Sequence, residues 1–201
     1  MEFDNTFEVP LPPAEAWVTL MNIESIAPCM PGAQLTEIID EKTFSGKVSV
    51  RLGPVALTFQ GKAVFEDIDE KHYKASVKAQ GADAKGRGGA NADVHFRLEP
   101  SDIGSIVKIH TNLQLSGSVA QYGRGAGMIQ DLAGQIIGKF AENLSKQIEE
   151  TNSREKPSAS QDSKPSPADQ EPAPIQMGSL AFKVFWNQLV RTFRRLIGLK
   201  H

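Results

Sequence analysis

The amino-acid sequence predicts an α+β fold in which a curved antiparallel sheet wraps around one long C-terminal helix. Two patterns predict it. Apolar and polar residues alternate in a series of runs between residues 44 and 115, and apolar residues recur every three or four positions over about 122–150. Each pattern leaves an apolar surface that must be covered, and packing the helix on the sheet covers both. Residues 1–150 are therefore predicted to form one domain.

The chain starts with a predicted strand and two short helices. Phenylalanine and valine alternate with polar residues over residues 3–9, which is strand spacing. The Pro12-Pro13 pair starts the first helix, because proline is favoured in the first helical turn. Pro28 and Pro31 end the second helix, since proline cannot continue it.

Five further strands follow, each with one apolar and one polar face, which indicates a half-exposed antiparallel sheet. The inward-facing residues are Phe44, Gly46, Val48, Val50, Leu52; Leu57, Phe59, Gly61, Ala63, Phe65; Tyr73, Ala75, Val77, Ala79, Gly81; Ala90, Ala92, Val94, Phe96, Leu98; and Val107, Ile109, Thr111, Leu113, Leu115. The long helix presents Ala126, Ile129, Ala133, Ile137, Phe140, Leu144 and Ile148 on one face.

Many of these inward-facing residues are small. Glycine and alanine occur where a dense core would alternate large and small side chains, so we expect a cavity between sheet and helix. The alternative is that glycines relieve bending of the sheet and alanines let the helix approach closely. The predicted ligand-binding residues of the cavity are Val48, Phe59, Val77, Gly81, Val94, Phe96 and Leu113 on the strands, with Ile129 and Ala133 on the helix.

The sequence offers little catalytic or metal-binding chemistry. The one cysteine, Cys29, excludes an internal disulfide and is expected to be a buried structural thiol. His95 and His110 fall on the polar faces of their strands and His72 in a turn, so we predict no metal site and no catalytic residue. A hydrolase or cyclase using the cavity would be an alternative, but no base is evident.

Two glycine runs invite a nucleotide-binding interpretation. Residues 86–89 read Gly-Arg-Gly-Gly and residues 123–127 read Gly-Arg-Gly-Ala-Gly. Neither has the spacing of a dinucleotide or P-loop motif, and the strands around them alternate, unlike buried parallel strands. A mobile loop and a helix start, either of them near a cavity mouth, are the better interpretations.

Beyond the domain, residues 151–178 are predicted to be a disordered linker, because they are polar and contain five prolines between Pro157 and Pro174. Charge separates this chain into two parts. Residues 1–171 carry 17 Lys and Arg against 24 Asp and Glu, a net charge of −7, whereas the remaining residues carry a net charge of +5. An acidic domain would be repelled by nucleic acid, so we expect no nucleic-acid partner.

Residues 179–201 are predicted to form an amphipathic helix that lies on a membrane surface. Its polar face is purely cationic, which suits anionic lipid headgroups, and those charges forbid a transmembrane position. The alternative is that the apolar stripe docks into a groove of this protein or of a partner. The predicted membrane-binding residues are Phe182, Lys183, Phe185, Trp186, Leu189, Arg191, Phe193, Arg194, Arg195, Leu196 and Ile197.

Four segments resemble the carbon monoxide dehydrogenase CoxG family. They are Cys29-Met30-Pro31-Gly32-Ala33, Gly46-Lys47-Val48 with Leu52-Gly53-Pro54, Gly86-Arg87-Gly88, and Gly117-Ser118-Val119-Ala120-Gln121-Tyr122-Gly123-Arg124. The family belongs to the START-like (SRPBCC) helix-grip superfamily, and the resemblance covers about residues 1–148. It implies a cavity for a hydrophobic ligand, bordered also by Met30, Pro31, Gly32, Tyr122, Arg124 and Gly127. Arg124 would contact a polar head or be a surface charge where the helix begins.

The resemblance implies a non-enzymatic accessory protein of a molybdenum-containing carbon monoxide dehydrogenase or related hydroxylase. Such a protein would bind a quinone without a covalent cofactor and recruit the enzyme to the inner face of the cell membrane from the cytoplasm, where electrons would pass to the quinone pool. A quinone tail is too apolar to diffuse through water, so a carrier or membrane contact is required. The alternative is a maturation or docking scaffold with no bound ligand.

Overall fold

The protein is described by a computed structural model that covers residues 1–124 and 126–155, without the side chains of residues 123, 124, 126, 154 and 155. The predicted linker from residue 156 onward, the predicted C-terminal amphipathic helix and the side chain of Arg124 lie outside the described residues.

Seven antiparallel strands form one sheet in the order β1-β7-β6-β5-β4-β3-β2. Their bounds are β1 Glu2–Val9, β2 Ala33–Ile38, β3 Thr43–Leu52, β4 Val55–Asp69, β5 Lys74–Asp83, β6 Gly89–Ser101 and β7 Gly104–Leu115. The strands from β3 to β7 follow one another as hairpins, so each pairs with its neighbour in the chain. This confirms the predicted α+β, helix-grip architecture and the predicted strands.

Helices precede and follow the sheet. Helix α1 spans Pro13–Met21 and α2 spans Ile23–Ile26, followed by a 3₁₀ turn at Ala27–Cys29. A 3₁₀ helix at Gly117–Arg124 leads from β7 into the long helix α3, Ala126–Glu155. The described helices include none that is both long enough and apolar enough to cross a bilayer.

Two differences from the sequence prediction concern element limits. Strand β2 was not predicted, because the register shifts between Leu35 and Glu37 and breaks its alternation after four residues. Helix α3 extends to Glu155, past the predicted domain limit at residue 150. The hydroxyls of Thr151 and Ser153 donate to backbone carbonyls one turn earlier, which satisfies them within the helix.

The core has two parts, one at each end of the sheet. The first surrounds Phe7, Trp17, Phe65, Phe140 and Leu144. Phe7 and Phe140 pack edge to face with ring centroids 5.5 Å apart, which fixes α3 against β1. The second surrounds Leu52, Leu57, Val119 and Ile129. The long helix therefore grips the sheet at both ends.

Candidate functional site: an apolar cavity over a glycine and alanine floor

Small residues meet in two neighbouring rows on the inner face of the sheet, between the two parts of the core. In the first row, cross-strand pairing joins Gly46, Gly61, Gly81 and Ala90. In the second row it joins Phe44, Ala63, Ala79 and Ala92. The rows cross four strands, so they form a floor with almost no side chains above the backbone.

Above this floor lies a cavity of about 410 Å³. Phe140 of α3 and Ile23, Ile26, Ala27 and Met30 of the segment after α1 form its opposite wall. Val48, Leu35 and Phe59 border it beyond the glycine row. Val48 keeps 39 % of its surface accessible although it points to the inner face, because the cavity lies beside it. An apolar ring could lie flat on such a floor.

The wall segment, residues 23–30, is held to α3 largely by amide side chains. The Asn143 side chain donates to the Cys29 carbonyl at 2.9 Å. Gln147, one turn later, accepts from the Cys29 thiol at 3.1 Å and donates to the Ser25 hydroxyl at 2.8 Å. Cys29 is buried, as expected, and burial raises the pKa of its thiol. The thiol is therefore structural.

The turn between β5 and β6, which contains the Gly-Arg-Gly-Gly run, is tied down by a buried ion pair. The Arg87 guanidinium donates to both oxygens of Asp83 at 2.8 Å, and also to the Ala56 carbonyl at 2.8 Å. The Asp83 side chain has no accessible surface, and the Arg87 guanidinium beside it holds the pKa of that carboxyl well below its usual range.

This turn also contacts the start of the 3₁₀ helix after β7. The Arg87 carbonyl accepts from the Ser118 hydroxyl at 2.8 Å and from the Val119 amide at 3.2 Å. Gly88 and Gly117 both have positive φ, and a Cβ on Gly117 would lie 2.7 Å from the Arg87 carbonyl oxygen. The glycine run serves this close backbone contact, so the ordered turn differs from the predicted mobile loop.

The predicted ligand-binding residues fall into three groups. Four line the cavity: Met30, Val48, Phe59 and Gly81. Pro31 and Gly32 lie between the lining residues Met30 and Ala33, and the Gly32 carbonyl accepts the Ser49 amide at 2.8 Å. The others lie apart from the lining: Val77, Phe96, Leu113, Tyr122 and Ile129 pack with the two parts of the core, and Val94, Gly127 and Ala133 lie on β6 and α3. Their role as ligand-binding residues stays a prediction.

The sequence prediction missed the part of the wall contributed by Ile23, Ile26 and Ala27. Their spacing of three and four positions was visible, but nothing in the sequence indicated which helix face would turn toward the sheet. The helix residue at the cavity is Phe140, about two turns beyond the predicted Ala133. The signal was the deficit of side-chain volume on strands β3–β6, which faces that part of the helix.

The polar groups outside the cavity offer no cluster for chemistry. His95 and His110 are exposed cross-strand neighbours on the outer face, and His110 lies 2.8 Å from Asp4. Among residues 1–124 and 126–155, no three His, Cys, Asp or Glu side chains are close enough to hold a metal ion.

Several solved structures share the fold. A conserved protein from Geobacillus kaustophilus matches with a TM-score of 0.65 and 22 % identity, over 75 % of this chain and 97 % of that protein. An aromatase/cyclase from Streptomyces sp. R1128 matches with a TM-score of 0.51 and 11 % identity, over 76 % and 95 %. Ara h 8.0201 matches with a TM-score of 0.51 and 19 % identity, over 74 % and 98 %. At these identities the likeness concerns the fold alone.

Among curated proteins, no sequence relative matches this chain. The family model of carbon monoxide dehydrogenase CoxG does match, over residues 6–149. The match covers the sheet, the wall segment and most of α3, which are the elements that enclose the cavity. This chain therefore belongs to the carbon monoxide dehydrogenase CoxG family.

Proposed function

We propose that this protein is a membrane-tethered accessory protein of a molybdenum-containing carbon monoxide dehydrogenase or hydroxylase, and that it holds a quinone in its cavity. The observation that supports the ligand is the cavity over the glycine and alanine floor. Its volume of about 410 Å³ is within the range of small-molecule sites. It would take a quinone ring and the first part of its apolar tail.

The role we propose is that of a carrier, with no catalysis of its own. Among the described cavity-lining residues, only Lys47 and Lys62 have titratable side chains, and both occupy outward-facing positions of their strands. The lining therefore supplies apolar contact and no evident general base. Electrons from the partner enzyme would reach the quinone, and the carrier would return it to the membrane.

The C-terminal segment is the proposed membrane contact. Phe182, Phe185, Trp186, Phe193 and Ile197 recur at helical spacing, and no acidic residue follows Glu171. About 1 kcal/mol per basic residue near an anionic surface would act together with apolar insertion. We infer a cytoplasmic protein that binds peripherally to the inner face of the membrane.

Ligand binding is tested by extracting the protein, purified from its native host, with organic solvent and identifying the lipids that co-purify. We expect a quinone in the unmodified protein and little in Ala79→Leu, which places a larger side chain on the cavity floor. Ala82→Leu is the matched control, because it makes the same change on the exposed face of the same strand. Lipid-free unmodified protein would favour the scaffold without a ligand.

Membrane contact is tested by co-sedimentation with vesicles containing anionic phosphatidylglycerol. We expect the full chain to sediment and a version that ends at Glu155 to stay in solution. Ending at Glu155 keeps the whole of α3, so the folded domain is the same in both proteins. Equal sedimentation of the two would exclude the C-terminal segment as the anchor.

A further inference from the structure

Charge is divided unequally over the outer face of the sheet. Carboxylates are common where β1, β7 and the far ends of β4–β6 meet, as at Glu2, Asp4, Glu66, Asp67 and Asp93. Several of them are neutralised locally: Lys78 pairs with Glu66 at 2.9 Å and Lys108 with Glu99 at 2.6 Å. This half of the face is mixed in charge.

The other half presents cations and amides. We call it the amide-lysine face and define it by Lys47, Arg51, Gln60, Lys62, Gln80 and Asn91, all of them exposed. The cross-strand partners of its three cations are Gln34 and Gln60, Ala56, and Ser45 and Gln80, with no carboxylate among them. Within the described residues, none of the three cations forms an ion pair.

The amide-lysine face lies directly behind the cavity. Gly61, Lys62, Gln80, Gly81 and Ala90 border both the apolar cavity and a polar groove on the outer face. Because the first floor row is glycine on β3, β4 and β5, only one layer of backbone separates the two. A molecule docked on this face would come as near to the cavity as the sheet permits.

We propose that the amide-lysine face is the docking surface for an acidic surface of the partner enzyme. This inference rests on the proposed function, since it assumes that the protein meets a carbon monoxide dehydrogenase or related hydroxylase. Three cations without carboxylate neighbours would pair with carboxylates across the interface. The amides between them can donate and accept hydrogen bonds, which a protein surface can match in number.

The chemistry of the face favours a protein over a membrane. Its six defining residues include no aromatic or aliphatic side chain, so nothing on it would insert below lipid headgroups. The face spans about 24 Å across β2–β7, at about 4.8 Å per strand spacing, and about 20 Å along β3. About 500 Å² per partner is the size of a transient interface, which suits a carrier that must leave again.

The test measures binding of the full-length chain to purified carbon monoxide dehydrogenase of the same organism. Lys47→Glu with Lys62→Glu is expected to raise Kd by about tenfold or more and to reduce the salt dependence of the association rate. Gln80→Glu with Asn91→Asp, which preserves side-chain shape, is expected to weaken binding in the same direction. Lys71→Glu with Lys74→Glu is the matched control, with the same charge change on the mixed half of the face.

The outcomes separate this inference from the proposed function. If the unmodified chain bound no enzyme, both would be contradicted. If the unmodified chain bound and both lysine pairs weakened binding equally, the docking surface alone would be wrong. Loss of binding to anionic vesicles by Lys47→Glu with Lys62→Glu, with enzyme binding intact, would overturn the inference in favour of a membrane-facing surface.

Discussion

Gly61 is the residue on which the cavity floor depends most directly. A Cβ at this position would overlap the carbonyl oxygen of Gln80 and lie 2.5 Å from the Cα of Gly81. Both obstacles are backbone of the neighbouring strand, so they cannot turn aside as a flexible side chain would. Strands β4 and β5 approach closely here because neither residue has a side chain.

We predict that Gly61→Ala destabilises the protein by about 1–3 kcal/mol, the range for a forced backbone shift in a packed structure. Gly138→Ala on α3 is the control, because a Cβ there meets nothing within 4 Å and the substitution favours the helix by about 0.5–1 kcal/mol. Urea unfolding measures both. Equal stability of Gly61→Ala and the unmodified protein would show that the strands can separate without loss.

Asp83 is the second residue with a specific structural role. It is buried, it accepts two hydrogen bonds from Arg87, and the backbone amides of Thr58, Lys85 and Arg87 also point at it. All of these donors favour the ionised carboxylate, which explains the lowered pKa. The pair joins β4, the β5–β6 turn and, through the Arg87 carbonyl, the 3₁₀ helix after β7.

We predict that Asp83 makes folding acid-sensitive. A carboxyl whose pKa is lower in the folded state stabilises the protein fully above its unfolded pKa of about 4, and that contribution is lost as pH falls below it. Asp83→Asn should therefore lower the thermal midpoint at pH 7 and flatten its fall between about pH 4 and 2. Asp102→Asn, in the exposed β6–β7 turn, is the control and should leave the pH profile unchanged.

At the scale of the element, the segment from α2 to Met30 is both a wall of the cavity and a loosely secured one. Its contacts with α3 include the amide hydrogen bonds of Asn143 and Gln147, which exchange readily with water. A quinone could not pass through the sheet. Movement of this segment away from α3 is the simplest way to open the cavity.

We predict that Gln147→Ala opens this segment more often, because it removes the hydrogen bonds to both Cys29 and Ser25. Cys29 should then react faster with iodoacetamide, and amide hydrogens of residues 23–32 should exchange faster. Gln135→Ala, at an exposed position of the same helix, is the control. Unchanged reactivity of Cys29 would show that apolar packing alone holds the segment.

The element scale also shows how far the sequence could predict this structure. Alternation assigned the inward faces of β3–β7 and spacing assigned the buried face of α3, because both depend on local geometry. The register that aligns Gly46, Gly61 and Gly81 is set by turns and bulges, so their meeting in one row was not readable. The same limit applies to the wall: the angle at which α2 crosses the sheet depends on long-range contacts with α3.

At the scale of the whole molecule, charge separates what the domain and the C-terminal segment can bind. A net charge of −7 on residues 1–171 opposes contact between the domain and an anionic membrane, whereas the following residues carry +5. The amide-lysine face is a cationic region within the acidic part. The proposed partners are therefore assigned to different surfaces: lipid to the C-terminal segment, and an acidic protein to the outer face of the sheet.

This separation predicts that membrane contact depends on where the basic residues lie in the chain. Arg191→Gln with Arg194→Gln and Arg195→Gln should weaken binding to phosphatidylglycerol vesicles by about 3 kcal/mol at low salt, about a hundredfold in affinity. Arg154→Gln with Lys156→Gln and Lys164→Gln removes the same charge from positions without an apolar stripe, and should change binding far less. Sedimentation at low and high salt measures both. Equal weakening by the two sets would mean that net charge governs membrane binding, because only an inserted segment gives its own arginines a fixed place at the lipid surface.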